Sequence, residues 1–158
     1  MAAVNGQLTI ALHIVGFLAS RDGEPLTSGR LARTYGTSPV VLRRVLAKLQ
    51  QAGLVQTQRG VGGGAVLARD ADEINLREVF EAVSGESKIL PRHPGDGEGG
   101  VAPVLAEYIN ELYTEAERAL LTQLEEVSVA SMDRTVRHRI YEALDCAEPG
   151  SPRGRRSR

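Results

Sequence analysis

The stretch from residue 37 to residue 69 carries the clearest hydrophobic pattern of the chain. Its apolar positions first recur at the i, i+3, i+4, i+7 spacing that one buried face of a helix requires. These positions are Leu42, Val45, Leu46 and Leu49. Ser38 is a suitable N-cap, Pro39 suits the first helical turn, and Gly53 suits the turn past a helix end. We therefore predict a helix that begins at Pro39 and ends at Gly53.

A hairpin is predicted directly after this helix. Residues 54–58 and 65–68 have the pattern of two short strands, and the loop between them contains four glycines. A nucleotide-binding loop would need a Gly-Lys-Ser/Thr sequence and a following helix, and neither follows these glycines. A basic helix followed by a hairpin instead suits DNA. The helix fits a major groove of about 12 Å, and the hairpin can reach the neighbouring backbone or minor groove.

Helices are also predicted on both sides of this stretch. Residues 6–20 are apolar almost throughout and predict a buried first helix. Its apolar run is too short to span a bilayer, and no positive residue precedes it as in a secretory signal. We interpret His13, which interrupts that run, as half-buried or facing a partner subunit rather than as a metal ligand. Thr27 or Ser28 can cap a second helix through Arg33, and a glycine-bearing turn then completes a helix-turn-helix. Asn75 can cap a fourth helix.

A helix of about 25 residues is predicted from Pro103 onwards. Its apolar stripe is longer than so small a domain can cover, so we expect two chains to bury each other's stripe in a homodimer. The residues expected in this dimer interface are Leu105, Tyr108, Leu112, Ala116, Leu120 and Leu124. A short last helix is predicted over residues 133–144.

The charges of the chain are distributed unevenly along it. The formal net charge is only −1, but residues 1–69 hold eight Lys/Arg against two Asp/Glu, whereas residues 70–150 hold seven against eighteen. The first part therefore suits a polyanion and the second does not. The single cysteine excludes an intrachain disulfide and fits a reducing cytosol, so we predict a cytoplasmic protein with no membrane partner.

Residues 52–85, with the sequence AGLVQTQRGVGGGAVLARDADEINLREVFEAVSG, resemble the IscR/NsrR/CymR family of winged helix-turn-helix transcription regulators, the Rrf2 family. The similarity extends back through Leu8, His13, Leu31, Ala32 and Ser38, and so covers residues 5 to about 85. It implies a mainly α fold with a small β-hairpin. On this basis we divide the chain into a winged helix-turn-helix domain (1–84), a flexible linker (85–102), a dimerisation helix with a C-terminal helix (103–146) and a disordered tail (147–158).

The residues expected to contact DNA are Thr27, Ser28, Arg30, Ser38, Val40, Val41, Arg43, Arg44, Lys48, Arg59, Gly62 and Gly63. We expect Arg43 or Arg44 to bond a guanine and Lys48 to meet a phosphate. A valine at the start of the helix suits a thymine methyl group. Arg59 is placed to enter a narrow minor groove, and the resemblance implies that the glycines let the wing approach DNA closely.

One feature departs from the family. Many members hold an iron–sulfur cluster through three cysteines between the fourth and the long helix, and this chain has no cysteine there. Thiolates are the usual cluster ligands, so we predict no cofactor. His93 alone does not make a metal site, and we interpret Cys146, beyond the long helix, as an ordinary thiol.

Together these patterns predict a homodimeric transcription regulator, acting as a repressor at a pseudo-palindromic site on double-stranded DNA. No grouping of nucleophile, base and metal ligands indicates an enzyme. The alternative is a winged-helix module that binds protein, because this fold serves both purposes. An unknown small-molecule effector would bind where the linker meets the long helix, with His93 and Tyr108 as lining. The other possibility is a constitutive repressor.

Overall fold

In the computed structural model, which describes residues 2–21, 23–85, 90 and 101–147, the chain folds into helices and one hairpin. The elements are α1 (Ala2–Ala19), α2 (Ser28–Tyr35), α3 (Pro39–Gln51), β1 (Val55–Gln58), β2 (Gly64–Leu67), α4 (Leu76–Ser84), α5 (Val101–Glu125) and α6 (Val129–Ala147). The predicted mainly α fold with a small β-hairpin is confirmed. The predicted linker and tail fall largely outside the described residues.

The helix-turn-helix consists of α2 and α3, and side-chain caps fix where each helix begins. The Thr27 hydroxyl accepts a hydrogen bond from the Arg30 N–H, and the Ser38 hydroxyl accepts one from the Val40 N–H, both at 3.3 Å. These caps satisfy backbone donors that the first turn of a helix leaves unpaired. The helix α2 continues to Tyr35, two residues further than its pattern indicates. Gly53, with a φ of 71°, turns the chain from α3 towards β1.

The wing is an antiparallel hairpin in which Val55 pairs with Leu67 and Gln58 pairs with Gly64. Leu26 forms an isolated antiparallel β-bridge with Ala65 of the wing. The Leu26 N–H donates to the Ala65 carbonyl at 3.0 Å, and the Ala65 N–H donates to the Leu26 carbonyl at 2.8 Å. This bridge ties the wing to the segment just before α2. A Cβ atom at Gly64 would lie 2.5 Å from the Leu26 carbonyl oxygen, so only glycine permits so close an approach.

The hydrophobic core lies between α1 and the helices and strands that follow it. Fully buried side chains come from α1, α3, α4 and the segments beside the wing, among them Ile14, Leu42, Leu49, Leu54, Ile74 and Val79. The predicted stripe of α3 is buried along its whole length. Because α1 is buried from several sides, its apolar character all round is explained by packing. No helix among the described residues is long and apolar enough to cross a membrane.

The junction between α5 and α6 is bonded to the chain segment just before α4. The Leu76 N–H donates to the Val127 carbonyl at 2.9 Å, and the Val129 N–H donates to the Ile74 carbonyl at 2.8 Å. Val129 is fully buried, so α6 starts inside the core. From there α6 packs along α1 and is longer, at both ends, than the predicted 133–144.

Candidate nucleic-acid interface

A groove of about 430 Å³ runs between the start of α2, the length of α3 and the wing. Four of the residues predicted to contact DNA line it, namely Thr27, Ser28, Arg43 and Gly63. The lining also contains residues that the sequence did not single out, namely Ala47, Gln50, Thr57 and Gln58. Gln50 donates to the Thr57 hydroxyl at 3.1 Å, which joins α3 to the wing. Gln50 follows Arg43 and Ala47 at helical spacing, so continuing that face could have identified it.

The exposed side of α3 is unusual because it combines solvent-exposed valines with arginines. Val40 is 63% exposed and Val41 is 41% exposed, and both lie in the first turn. The guanidinium of Arg43 donates from Nε to the Pro39 carbonyl at 3.1 Å, and its terminal nitrogens have no hydrogen-bond partner among the described residues. This first turn therefore offers apolar surface and hydrogen-bond donors side by side, as the edge of a base pair requires.

Three predicted cations are free to meet an outside anion. Arg30 on α2, Arg44 on α3 and Arg59 on the wing are exposed, and within the described residues their side chains form no hydrogen bond or ion pair. Arg69 differs from them, because it pairs with Glu78. Unpaired guanidinium groups on one part of a protein raise the local positive potential.

Lys48, which was expected to contact a phosphate, instead forms hydrogen bonds within the chain. Its ammonium donates to Gln7 Oε1 at 2.8 Å and to the Val83 carbonyl at 2.7 Å, and the side chain is half-buried. The charge is thus engaged by α1 and by the end of α4. These bonds join positions 41 and 35 residues apart, which no local pattern could indicate.

The tip of the wing brings Arg59 next to a tight glycine turn. A Cβ atom at Gly63 would lie 2.3 Å from the Gln58 carbonyl oxygen, so the turn closes only with glycine at this position. Gly62 and Val61 are exposed at the tip. The wing therefore ends in a small, narrow projection with a cation at its base.

The long helix α5 presents the predicted dimer stripe to solvent over most of its length. Leu105, Tyr108, Leu112 and Leu120 are between 40% and 57% exposed, and Ala116 is exposed as well. Leu124 is different, because it is half-buried against the core. Of the two candidate effector residues, Tyr108 is exposed on α5 and His93 lies outside the described residues.

An iron–sulfur cluster does not fit the donors of this chain. Its one cysteine, Cys146, belongs to α6, and three or four thiolates usually hold such a cluster. Within residues 2–21, 23–85, 90 and 101–147, no group of three His, Cys, Asp or Glu side chains could hold a metal ion.

Relatives of the chain are named as transcriptional regulators of the helix-turn-helix (HTH) type. It is 30% identical over 122 residues to YwnA of Bacillus subtilis, provisionally named an HTH-type transcriptional regulator, across 77% of this chain and 90% of YwnA. It is 37% identical over 81 residues to the HTH-type transcriptional regulator NsrR of the same organism, across 51% of this chain and 56% of NsrR. It is 38% identical over 84 residues to the HTH-type transcriptional regulator IscR of Cereibacter sphaeroides, across 52% and 53% of the two chains.

Solved structures show the same fold. The structure of CymR, the global cysteine regulator of B. subtilis, superposes with a TM-score of 0.64 at 23% identity, over 82% of this chain and 94% of CymR. IscR of T. potens superposes with a TM-score of 0.62 at 20% identity, over 92% and 90% of the two chains. The winged-helix interpretation of the sequence is thereby confirmed.

The family model that matches this chain spans residues 4–135, and so includes the helix-turn-helix, the wing and most of α5 and α6. It is named Rrf2 and described as an iron-dependent transcriptional regulator. The predicted resemblance is confirmed, while the single thiol gives this chain no donor set for a cluster. The chain belongs to the Rrf2 family of transcriptional regulators and is not an enzyme.

Proposed function

We propose that the protein is a sequence-specific repressor that binds a pseudo-palindromic operator as a homodimer, without an iron–sulfur cluster. The observation that carries this proposal is the groove in which the start of α2, the exposed side of α3 and the wing meet. The free cations Arg30, Arg44 and Arg59 belong to these same three elements. An interaction module for protein would have no need of this arrangement of unpaired charge.

In the proposed complex α3 lies in the major groove with its first turn deepest, as recognition helices do. Arg43 there bonds a guanine through its terminal nitrogens, and Val40 or Val41 packs against a thymine methyl group. Both valines are too exposed to contribute to the core, so a base edge gives them a role that folding does not.

The remaining residues of the proposed interface position the protein on the backbone. Arg30 and the hydroxyl groups of Thr27 and Ser28 meet phosphates near the start of α2, and Arg59 enters the minor groove beside the wing. Gly62 and Gly63 keep the tip narrow enough for that approach. We leave Lys48 out of the proposed interface, because Gln7 and Val83 already bond its ammonium.

Dimerisation through α5 supplies the symmetry of the proposed operator. Two copies joined along the exposed stripe of Leu105, Tyr108, Leu112, Ala116 and Leu120 would present two recognition helices related by a two-fold axis. A dimer bound in this way represses simply by covering the site that the transcription machinery needs. Because the chromosome is its target, we place the protein in the cytoplasm.

The proposal is tested by selecting genomic fragments that the purified protein retains, and then measuring affinity for the recovered site at several salt concentrations by fluorescence anisotropy. We expect a steep loss of affinity with salt, because each phosphate contact releases about one counterion. Arg30→Gln should lower the slope by about 1. The control is Arg118→Gln on α5, which removes the same charge far from the groove and should leave the slope unchanged.

Two results would contradict the proposal. If no fragment is enriched, or if salt has no effect on the affinity, then the cations do not contact phosphates. The alternative function, a winged-helix module that binds another protein, would then be favoured. If the two glutamine variants change the slope equally, then net charge rather than the groove determines binding.

A further inference from the structure

We propose that the groove between α1 and α6 is a binding site for a small aromatic carboxylic acid, and that binding there acts on the helix-turn-helix. The groove has a volume of about 640 Å³. This volume lies within the range of about 300–1,000 Å³ that is typical of small-molecule sites. It lies on a different part of the molecule from the candidate nucleic-acid interface, with which it shares no lining residue.

The lining of the groove is mostly apolar. Its aliphatic part and the Phe17 ring come from Leu12, Gly16, Phe17, Met132, Val136 and Ile140. A Cβ atom at Gly16 would lie only 3.0 Å from the Met132 methyl group, so glycine lets that methyl group rest directly on α1. Val136 and Ile140 are 49% and 52% exposed on the rim, which leaves the groove accessible. Such a site retains apolar ligands by removing their surface from water.

Stacked rings give the groove a flat aromatic wall. The His13 and Tyr35 rings are 4.7 Å apart with an interplanar angle of 7°, and Phe17 meets Tyr35 edge-on at 5.9 Å. This stack places His13 in the groove, exposed and beside Tyr35. Of the two interpretations of His13, the half-buried one is therefore wrong, and the one in which it faces a partner subunit stays a prediction. A flat aromatic ligand has favourable stacking and edge-to-face geometries available on such a wall.

One end of the groove holds two guanidinium groups, each of which forms an ion pair with a carboxylate. Arg137 donates to the Ser20 carbonyl at 3.2 Å, and Arg21 is the next residue, so both guanidinium groups border the same end. Asp133 is the only acid among the lining residues, and it already accepts from Arg137 Nε at 2.7 Å. Arg21 pairs through a terminal nitrogen with Glu24, whereas its buried Nε has no hydrogen-bond partner in the part of the chain that the structure describes. A carboxylate is a group that accepts hydrogen bonds from the donors that Arg21 still has to offer.

Tyr35 connects the groove to the DNA-reading elements. It is the last residue of α2, and its hydroxyl donates to the His13 carbonyl on α1 at 3.1 Å. Burial raises the pKa of Tyr35, so the hydroxyl remains a donor at neutral pH. A ligand that stacks on this pair favours one position of α2, and hence of α3, over another. The effect of the ligand on the helix-turn-helix rests on the proposed DNA-binding function, whereas ligand binding in the groove does not.

Met132 offers a direct readout of occupancy. The chain contains two methionines, Met1 and Met132, so methyl-¹³C-methionine labelling gives one signal inside the groove and one reference at the chain start. The probe is 2-naphthoate. We expect a saturable upfield shift of the Met132 methyl signal, caused by the ring current of the bound probe, while the Met1 signal stays in place. The neutral amide, 2-naphthamide, should bind more weakly.

Matched variants locate the probe. Ile140→Trp should fill the groove and abolish the shift, whereas Leu144→Trp, one turn further along the same exposed side of α6 and outside the lining, should preserve it. Arg21→Gln should weaken naphthoate binding about tenfold, because it removes charged hydrogen bonds. It should leave naphthamide binding unchanged. Glu24→Gln breaks the same surface ion pair but keeps the guanidinium, and should not weaken naphthoate.

The outcomes separate this proposal from the proposed function. A Met132 signal that naphthoate does not move, or moves equally in Ile140→Trp, overturns the binding site even if the protein binds its operator. If the Met132 signal shifts on dilution of the protein but not on addition of naphthoate, a second copy of the chain fills the groove. This result would also contradict the proposed ligand site. If naphthoate binds beside Met132 but leaves the operator affinity unchanged, the proposed coupling is wrong. If naphthoate binds but the protein does not bind DNA, only the proposed function is wrong.

Discussion

The helices α3 and α5 have similar hydrophobic patterns but opposite surroundings. In α3 the apolar stripe is wholly buried, and the exposed side carries Arg43 and Arg44. In α5 only Ala106 is buried, and Leu105, Leu112 and Leu120 of the stripe remain at least 40% exposed. A periodic pattern predicts that a helix has an apolar side but does not say what covers it.

The difference indicates two kinds of partner. The surface that α3 leaves uncovered is cationic and suits phosphates and base edges, whereas the surface that α5 leaves uncovered is apolar and suits a protein. A contiguous apolar stripe on a small regulator is a liability unless a second chain covers it. Four substitutions, in decreasing order of expected effect, test this assignment of partners.

The largest effect is expected from placing charges in the α5 stripe. Leu112→Glu combined with Leu120→Glu should convert the proposed homodimer to monomers, since each buried and unpaired carboxylate costs several kcal/mol. Sedimentation velocity measures the change. Arg118→Glu is the control, because it alters the net charge by the same amount on the other side of α5. A double variant that sediments as a dimer would show that the stripe is not the interface.

A core truncation in α3 should come next. Leu42 is fully buried, so Leu42→Ala should lower the free energy of unfolding by about 2–5 kcal/mol in urea denaturation, at any protein concentration. The matched change Leu112→Ala should cost less, and its effect should grow with protein concentration because it acts on association. If both losses were independent of concentration, α5 would be stabilised within one chain.

A smaller effect is expected at the wing. Arg59→Ala should weaken operator binding by about 1–3 kcal/mol without changing the urea midpoint, because the side chain is exposed and has no partner among the described residues. Val61→Ala, two residues along the same tip, is the control for any loss of wing shape. Operator binding as tight as that of the parent protein would remove the wing from the interface.

The smallest effect concerns the start of α4. Asn75 accepts from the Glu78 N–H at 2.9 Å while Glu78 accepts from the Asn75 N–H at 3.2 Å, which together form a capping box. Asn75→Ala should lower the free energy of unfolding by about 1 kcal/mol, measured in urea, and Asn75→Asp should retain most of it. Equal stability of all three proteins would mean that the junction with α6, rather than the cap, holds α4 in place.

The sequence was informative wherever neighbours along the chain determine structure. The caps Ser38 and Asn75, the stripe of α3 and the glycines of the wing are all local features, and the structure has them as predicted. The resemblance added the winged arrangement, which the family match and the solved structures confirm. For the residues predicted at DNA, the structure brings four into one groove and leaves their role in binding to experiment.

Contacts between distant parts of the chain cannot be predicted from local sequence patterns. The bonds of Lys48 to Gln7 and Val83, and the stacking of His13 on Tyr35, depend on how helices are arranged in space. The packing of α6 along α1 could not be predicted for the same reason. Several positions of α6 are exposed, as in a helix that lies in solvent, and Val129, its first residue, is buried only by tertiary contact. Periodicity carries no information about which helices meet.

Because backbone hydrogen bonds attach the junction between α5 and α6 to the segment before α4, the helix α5 can act as a lever. With 25 residues, α5 is about 37 Å long, close to one turn of B-form DNA. One end is attached by the backbone to the segment that leads into α4, so a tilt of about 5° at that point moves the other end by about 3 Å. In the proposed dimer, two such levers meet along their lengths. Small rotations at the junction would therefore change the distance between the recognition helices, and with it the operator spacing that the protein accepts.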